Sequence, residues 1–174
     1  AASIACSPWM AALAIALSMA ESVFPSPIPG VKPGLANIIV LLVLHQYGVR
    51  AAVWVSVLRV IADSLFFGSF LTPAFFLSLS GATCSLLMLM LTFQLPRNLF
   101  GPVTHSLLAS IAHIAGQLLV VYLWLIPHRG ILFLIPILAI AAVVFGLVNG
   151  IIAARILATG KKLIMPEPVP SAAL

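Results

Sequence analysis

Charge is almost absent from this chain. Its carboxylates are Glu21, Asp63 and Glu167, its Lys and Arg number eight, and together they make up 6% of 174 residues. A water-soluble domain carries about 25% charged residues. With 63% of its residues hydrophobic, a chain so poor in solvating groups must turn most of its surface to lipid. Crossing the hydrocarbon core takes roughly 20 apolar helical residues. The length therefore leaves room for about six crossings joined by short loops, with no extramembrane domain.

Gly, Pro and charge end the apolar runs and divide the chain into segments. Six are expected, over residues 9–24, 35–47, 51–71, 74–95, 103–126 and 131–158. They define an all-α integral membrane protein, a bundle of six transmembrane helices in one domain over 1–160, followed by a short basic, proline-rich cytoplasmic tail over 161–174. Pro25, Pro27 and Pro29 alternate and cannot continue a helix, so the stretch to Gly34 is a stiff loop. The second segment barely reaches across the hydrocarbon and is expected to be short, tilted or partly re-entrant. Thr72 and Pro73 open the fourth segment, Pro136 sits near the start of the sixth, where it is tolerated, and Gly160, Lys161 and Lys162 are expected to end it.

Basic residues favour cytoplasmic loops. With six helices both termini share a side, which collects Arg50, Arg97, Arg155, Lys161 and Lys162 against Lys32 and Arg129 on the other. Both termini are therefore expected in the cytoplasm, with the chain in the bacterial inner membrane. Ser18-Met19-Ala20 also resembles a signal-peptide cleavage site, but no basic stretch precedes it and further spans follow.

The same scarcity of acids excludes hydrolytic and phosphoryl-transfer centres that gather carboxylates around a metal. Cys6 and Cys84 have no zinc-ligand spacing, and the four histidines form no H-E-x-x-H pattern, so neither a metal nor a cofactor is expected. Gly160-Lys161-Lys162 is not a P-loop, because Arg155 stands at the first glycine position and Lys162 where Ser or Thr is required. Nothing points to nucleic acid.

Polar groups inside spans carry the functional information, because a charge at the bilayer centre costs at least about 2.5–3.5 kcal/mol and demands a partner or a cavity. Glu21, Asn37, Arg59, Asp63, His113 and Gln117 fall into one band of depth beneath the loop that carries Lys32, with Arg59 and Asp63 at mid-helix. Together with Lys32 they are the candidate substrate-binding residues of an outward-opening cavity. Arg59 and Asp63 are four residues apart and also suit mutual neutralisation; His113 and Gln117 share that spacing and also suit hydrogen bonds to neighbouring helices. Asn149 reads as packing glue in the sixth segment. Ala12, Ala16 and Ala20 place small residues on one face of the first segment, as close helix approach requires, whether against the chain's own bundle or a partner.

The run from Glu21 through Pro25, Pro27, Pro29, Gly30, Lys32, Pro33 and Gly34 to Asn37 and Ile38 closely resembles the signature of the Gx transporter family, also labelled heptaprenyl diphosphate synthase component I. Ser78-Leu79-Ser80-Gly81 and Ala112 to Gln117 look like its later motifs, although Ile114 stands where the family typically has Asn. That family is similar to the substrate-binding S components of energy-coupling-factor transporters. The resemblance implies a small-molecule-binding membrane subunit without enzymatic activity, energised by partner ATPases through a transmembrane coupling subunit that docks on Ala12, Ala16 and Ala20. The other label implies an accessory role in prenyl diphosphate or quinone metabolism, in which an apolar bundle holds a prenyl tail while Lys32 or Arg59 attracts the head. Prenyl transfer itself needs aspartate-rich motifs, and Asp63 is the chain's one aspartate. A third reading is an assembly subunit of a membrane redox complex.

Overall fold

The computed structural model describes residues 12, 15, 16, 36–94, 101–125 and 129–164. The described residues form five α-helices rather than six: α1 (Ala36–Tyr47), α2 (Val49–Phe66), α3 (Pro73–Phe93), α4 (Pro102–Val120) and α5 (Ile135–Ile164). A π-helical turn, Val121–Leu125, extends α4, and a 3-10 turn, Arg129–Leu134, leads into α5. Most of the first expected segment lies outside the described residues, but Ala12, Ile15 and Ala16 are helical.

α3, α4 and α5, with the turns that extend them, are each long and apolar enough to cross a membrane. Their surface has the character that lipid selects. On α5 the exposed side chains include Ile137, Ile140, Val144, Leu147 and Ile151, while Leu138, Ala142, Asn149 and Ala153 are buried. α2 is inverted relative to a soluble helix in the same way. Trp54, at 67% exposure, Leu58, Ile61 and Leu65 point outward, and Ser56, Arg59, Asp63 and Ser64 point in. Water would penalise that apolar face, whereas lipid accommodates it.

Two boundaries differ from expectation for local reasons. α2 ends at Phe66, not near residue 71, because Gly68 adopts φ +62° and closes the helix: its N–H donates to the Leu65 carbonyl, and the Ser69 N–H to that of Ser64 at 2.8 Å. That is a Schellman end, with glycine in the left-handed position. Asp63 consequently lies in the last turn of α2, not at mid-helix. α5 runs through Gly160, Lys161 and Lys162 to Ile164, since one helical glycine costs only about 1 kcal/mol. The short second segment is confirmed as the twelve-residue α1, about 18 Å long. Its five consecutive residues Val40–Leu44 are all buried, so every side of the helix faces protein.

Gly48, at φ +83°, is the single residue between α1 and α2. Asn37 and Arg59 each lie eleven residues from it, and this turn folds them onto each other. Small residues close the rest of the bundle. A Cβ on Gly116 of α4 would stand 2.8 Å from the Ser80 carbonyl of α3, and one on Gly150 of α5 would stand 2.7 Å from the Val103 Cα of α4. α4 is therefore held closely between α3 and α5.

Candidate functional site

Five of the seven expected site residues lie among the described residues, and all five are buried: Asn37, Arg59, Asp63, His113 and Gln117. Glu21 and Lys32 lie outside them, as does Ala20.

The turn at Gly48 brings α1 and α2 together so that Arg59 Nη1 donates to Asn37 Oδ1 at 3.3 Å. Asp63 follows Arg59 by one turn on the same buried face of α2. Opposite charges at that spacing reduce the cost of holding either inside a bundle. On α4, Gln117 Nε2 lies 3.2 Å from His113 Nε2. The contact joins two side chains one turn apart on the buried face of α4. The other ring nitrogen, Nδ1, is buried without a hydrogen-bond partner among the described residues; leaving such a polar atom unsatisfied costs about 1–3 kcal/mol.

The two halves meet across the bundle. They are joined through α1 and α3, against which both α2 and α4 pack. Gly81 of α3 makes room for the pair on α4: a Cβ there would stand 2.8 Å from His113 Cε1 and Nε2 and 3.0 Å from Gln117 Cγ. The Gly81 backbone passes beside the ring. The buried polar residues thus form two groups, Asn37, Arg59 and Asp63 on α1 and α2, and His113 with Gln117 on α4, where α3 gives way at Gly81.

Sequence reasoning named Gly81 only as part of a motif and did not single out Gly116, because a glycine's importance depends on which helix crosses it. It also missed a further cluster at the other end of α1. His45 lies 5.4 Å from Phe93 and 5.7 Å from His105, ring centre to ring centre, in edge-to-face geometry. The Nδ1 of His45 donates to the Leu41 carbonyl at 3.0 Å, and that of His105 to the Gly101 carbonyl at 2.7 Å. Both rings are thereby fixed by their own helices, and they join the last turns of α1 and α3 to the first turn of α4. No sequence spacing announces this. Asn149, read as packing glue, is fully buried on the small-residue face of α5, between Gly146 and Gly150.

Ala12 and Ala16 are helical and exposed. Among the described residues no group of three or more His, Cys, Asp or Glu is placed to hold a metal ion.

Apolar faces outward and buried Arg, Asp, His, Asn and Gln within define an all-helical membrane protein with a polar centre. The chain belongs to the heptaprenyl diphosphate synthase component I family, also labelled Gx transporter, whose model matches residues 10–156. The family description names a component of a synthase. No curated protein and no solved structure matches the chain.

Proposed function

We propose that this chain is the membrane-embedded, small-molecule-binding subunit of a transporter, similar to an S component, and that a partner ATPase energises it through a transmembrane coupling subunit. The observation that carries this reading is the burial of Asn37, Arg59, Asp63, His113 and Gln117. A purely structural bundle has little reason to bury two charges as well as a histidine and two amides, since each raises the cost of insertion. The exposure of Ala12 and Ala16 supports docking, because alanines that pack inside the chain's own bundle are covered. In this reading both termini face the cytoplasm, and Glu21 and Lys32 contribute to the same site.

The family description favours a second reading, a non-catalytic accessory subunit for prenyl diphosphate or quinone metabolism. Both readings require a bound small molecule, whereas an assembly subunit of a redox complex requires none. Native mass spectrometry of protein extracted in mild detergent tests this directly. A co-purifying compound is expected, with occupancy lowered by Glu21→Gln and by His113→Ala in folded protein. Protein that never carries a compound argues for the assembly role. Recovery of the ligand-loaded chain with a coupling subunit and its ATPases separates the transporter from the accessory subunit.

A further inference from the structure

We infer that the turn between α2 and α3, residues 67–72, is not an aqueous loop but a lipid-binding tip, with Phe66, Phe70 and Leu71 seated where head groups meet acyl chains. That placement holds whichever small molecule the chain binds.

Turns that meet water are usually rich in polar side chains. Here Phe66 at 70%, Leu71 at 65% and Phe70 at 43% exposure project from one end of the bundle. Residues 64–96, which span the end of α2, the turn and all of α3, include no Asp, Glu, Lys, Arg or His. Leu71 also holds φ at +61°, a left-handed conformation that strains a leucine and that glycine or asparagine would adopt more readily. With most of its side chain outside the protein, packing within the chain does little to offset that strain. Dispersion contact with acyl chains would offset it.

The backbone of the turn is closed on itself, as lipid requires, because acyl chains offer no hydrogen bonds. The N–H of Phe67 donates to the Asp63 carbonyl at 3.0 Å, that of Gly68 to Leu65 at 3.3 Å, that of Ser69 to Ser64 at 2.8 Å and that of Thr72 to Ser69 at 3.1 Å. The hydroxyls turn inward too: Ser64 Oγ donates to the Ile61 carbonyl at 2.8 Å and Thr72 Oγ1 to the Ser69 carbonyl at 2.6 Å. At the head-group boundary, rather than at the hydrocarbon centre, the other backbone groups of an irregular turn still find partners.

A chain of rings fixes the depth and the occupant. Phe70 lies 5.1 Å from Phe75, Phe75 5.4 Å from Phe76, and Phe76 5.1 Å from Trp124, centre to centre. The rings thus run from the turn to the π-helical end of α4, where Tyr122 and Trp124 are exposed. Tyr and Trp concentrate where a membrane meets water. The tip of the turn therefore stands level with that belt and continues the apolar outer faces of α3 and α4, which favours lipid over a second protein as its partner.

Spin labels measure the depth. Full-length protein in phosphatidylcholine nanodiscs, with Cys6→Ser and Cys84→Ser as background, carries Phe66→Cys, Phe70→Cys or Leu71→Cys, each labelled with a nitroxide. Collisions with oxygen, which concentrates in lipid, and with a nickel chelate, which stays in water, are calibrated against nitroxide-bearing lipids. The labels are expected about 5–10 Å below the head groups, the depth at which interfacial apolar side chains rest. Nickel contact as frequent as at a head-group nitroxide puts the turn in water and overturns the inference. A label that neither reagent reaches shows that protein covers the turn, a second copy or another part of this chain, and overturns it as well. Where the variants fail to fold, the unmodified protein answers: phosphatidylcholine with a diazirine high on its acyl chain should photolabel residues 66–71, and their absence from the labelled peptides overturns the inference.

Discussion

Replacing Gly116 with Ala should loosen the α3–α4 crossing, and the cost follows from which atoms stand in the way. The new methyl would lie 2.7 Å from Cys84 Sγ, 2.9 Å from Cys84 Cβ and 2.8 Å from the Ser80 carbonyl oxygen. The thiol can rotate away. The Cβ and the carbonyl cannot, because both are fixed to the α3 backbone, so the helices must part by roughly half an ångström to restore ordinary contact. A gap of about 0.5–1 Å forfeits a quarter to a half of each dispersion contact it opens. Overpacking of this kind costs about 1–3 kcal/mol, and three obstacles under 3 Å put this site in the upper half of that range. Alanine's better helix propensity returns about 1 kcal/mol, leaving a net loss of about 1–2 kcal/mol. Reversible unfolding in mixed detergent micelles, followed by circular dichroism, measures it. Gly101→Ala is the control, because nothing lies within 4 Å of a Cβ there; its effect should stay within about 0.5 kcal/mol. A Gly116→Ala protein as stable as the parent refutes the reasoning. So does complete rescue by Cys84→Ala, which removes only the obstacle that could have moved unaided.

Gly150→Val should be more severe than Gly116→Ala, since even its Cβ meets the Val103 Cα at 2.7 Å; loss of folded protein on size-exclusion chromatography in detergent is the readout. Arg59→Met should destabilise by about 1–3 kcal/mol in the same unfolding assay, because it removes the donor that Asn37 Oδ1 accepts from inside the bundle. Ala16→Trp should abolish co-purification of a coupling subunit while the isolated chain keeps its stability and bound compound; a variant that unfolds by itself would assign that face to internal packing. A cysteine at Ser26 should label from the outer side of the membrane only, and exclusive labelling from the cytoplasm would invert the topology.

Covalent punctuation was legible in the sequence, and relations between helices were not. Thr72-Pro73 opens α3 as expected and Gly48 closes α1, because proline and left-handed glycine act through the local backbone. Gly68 acts by the same mechanism, but a lone glycine between phenylalanines and serines does not reveal whether the helix passes through it, and so the end of α2 was misplaced. Gly160 shows the converse, a glycine that the helix does pass through. The site divides along the same line. His113 and Gln117 could be paired from their spacing, since residues four apart share a helix face. The contact of Arg59 with Asn37 depends on the turn at Gly48, and the fit of Gly81 against His113 depends on how far α4 is rotated toward α3. Neither rotation is written in the order of residues along one helix.

The brevity of α1 bears on how the protein is made. A helix of about 18 Å has no stable position alone in a hydrocarbon layer about 30 Å thick, and α2 presents Arg50, Arg59 and Asp63 within 18 residues. Neither is suited to leave the translocon as an independent unit. Joined by Gly48 alone, they are suited to insert together as one hairpin, with Arg59 already satisfied in part by Asn37. Lesions in this hairpin should therefore appear at biogenesis, as chains that fail to integrate and are degraded, and not as mature protein that melts early.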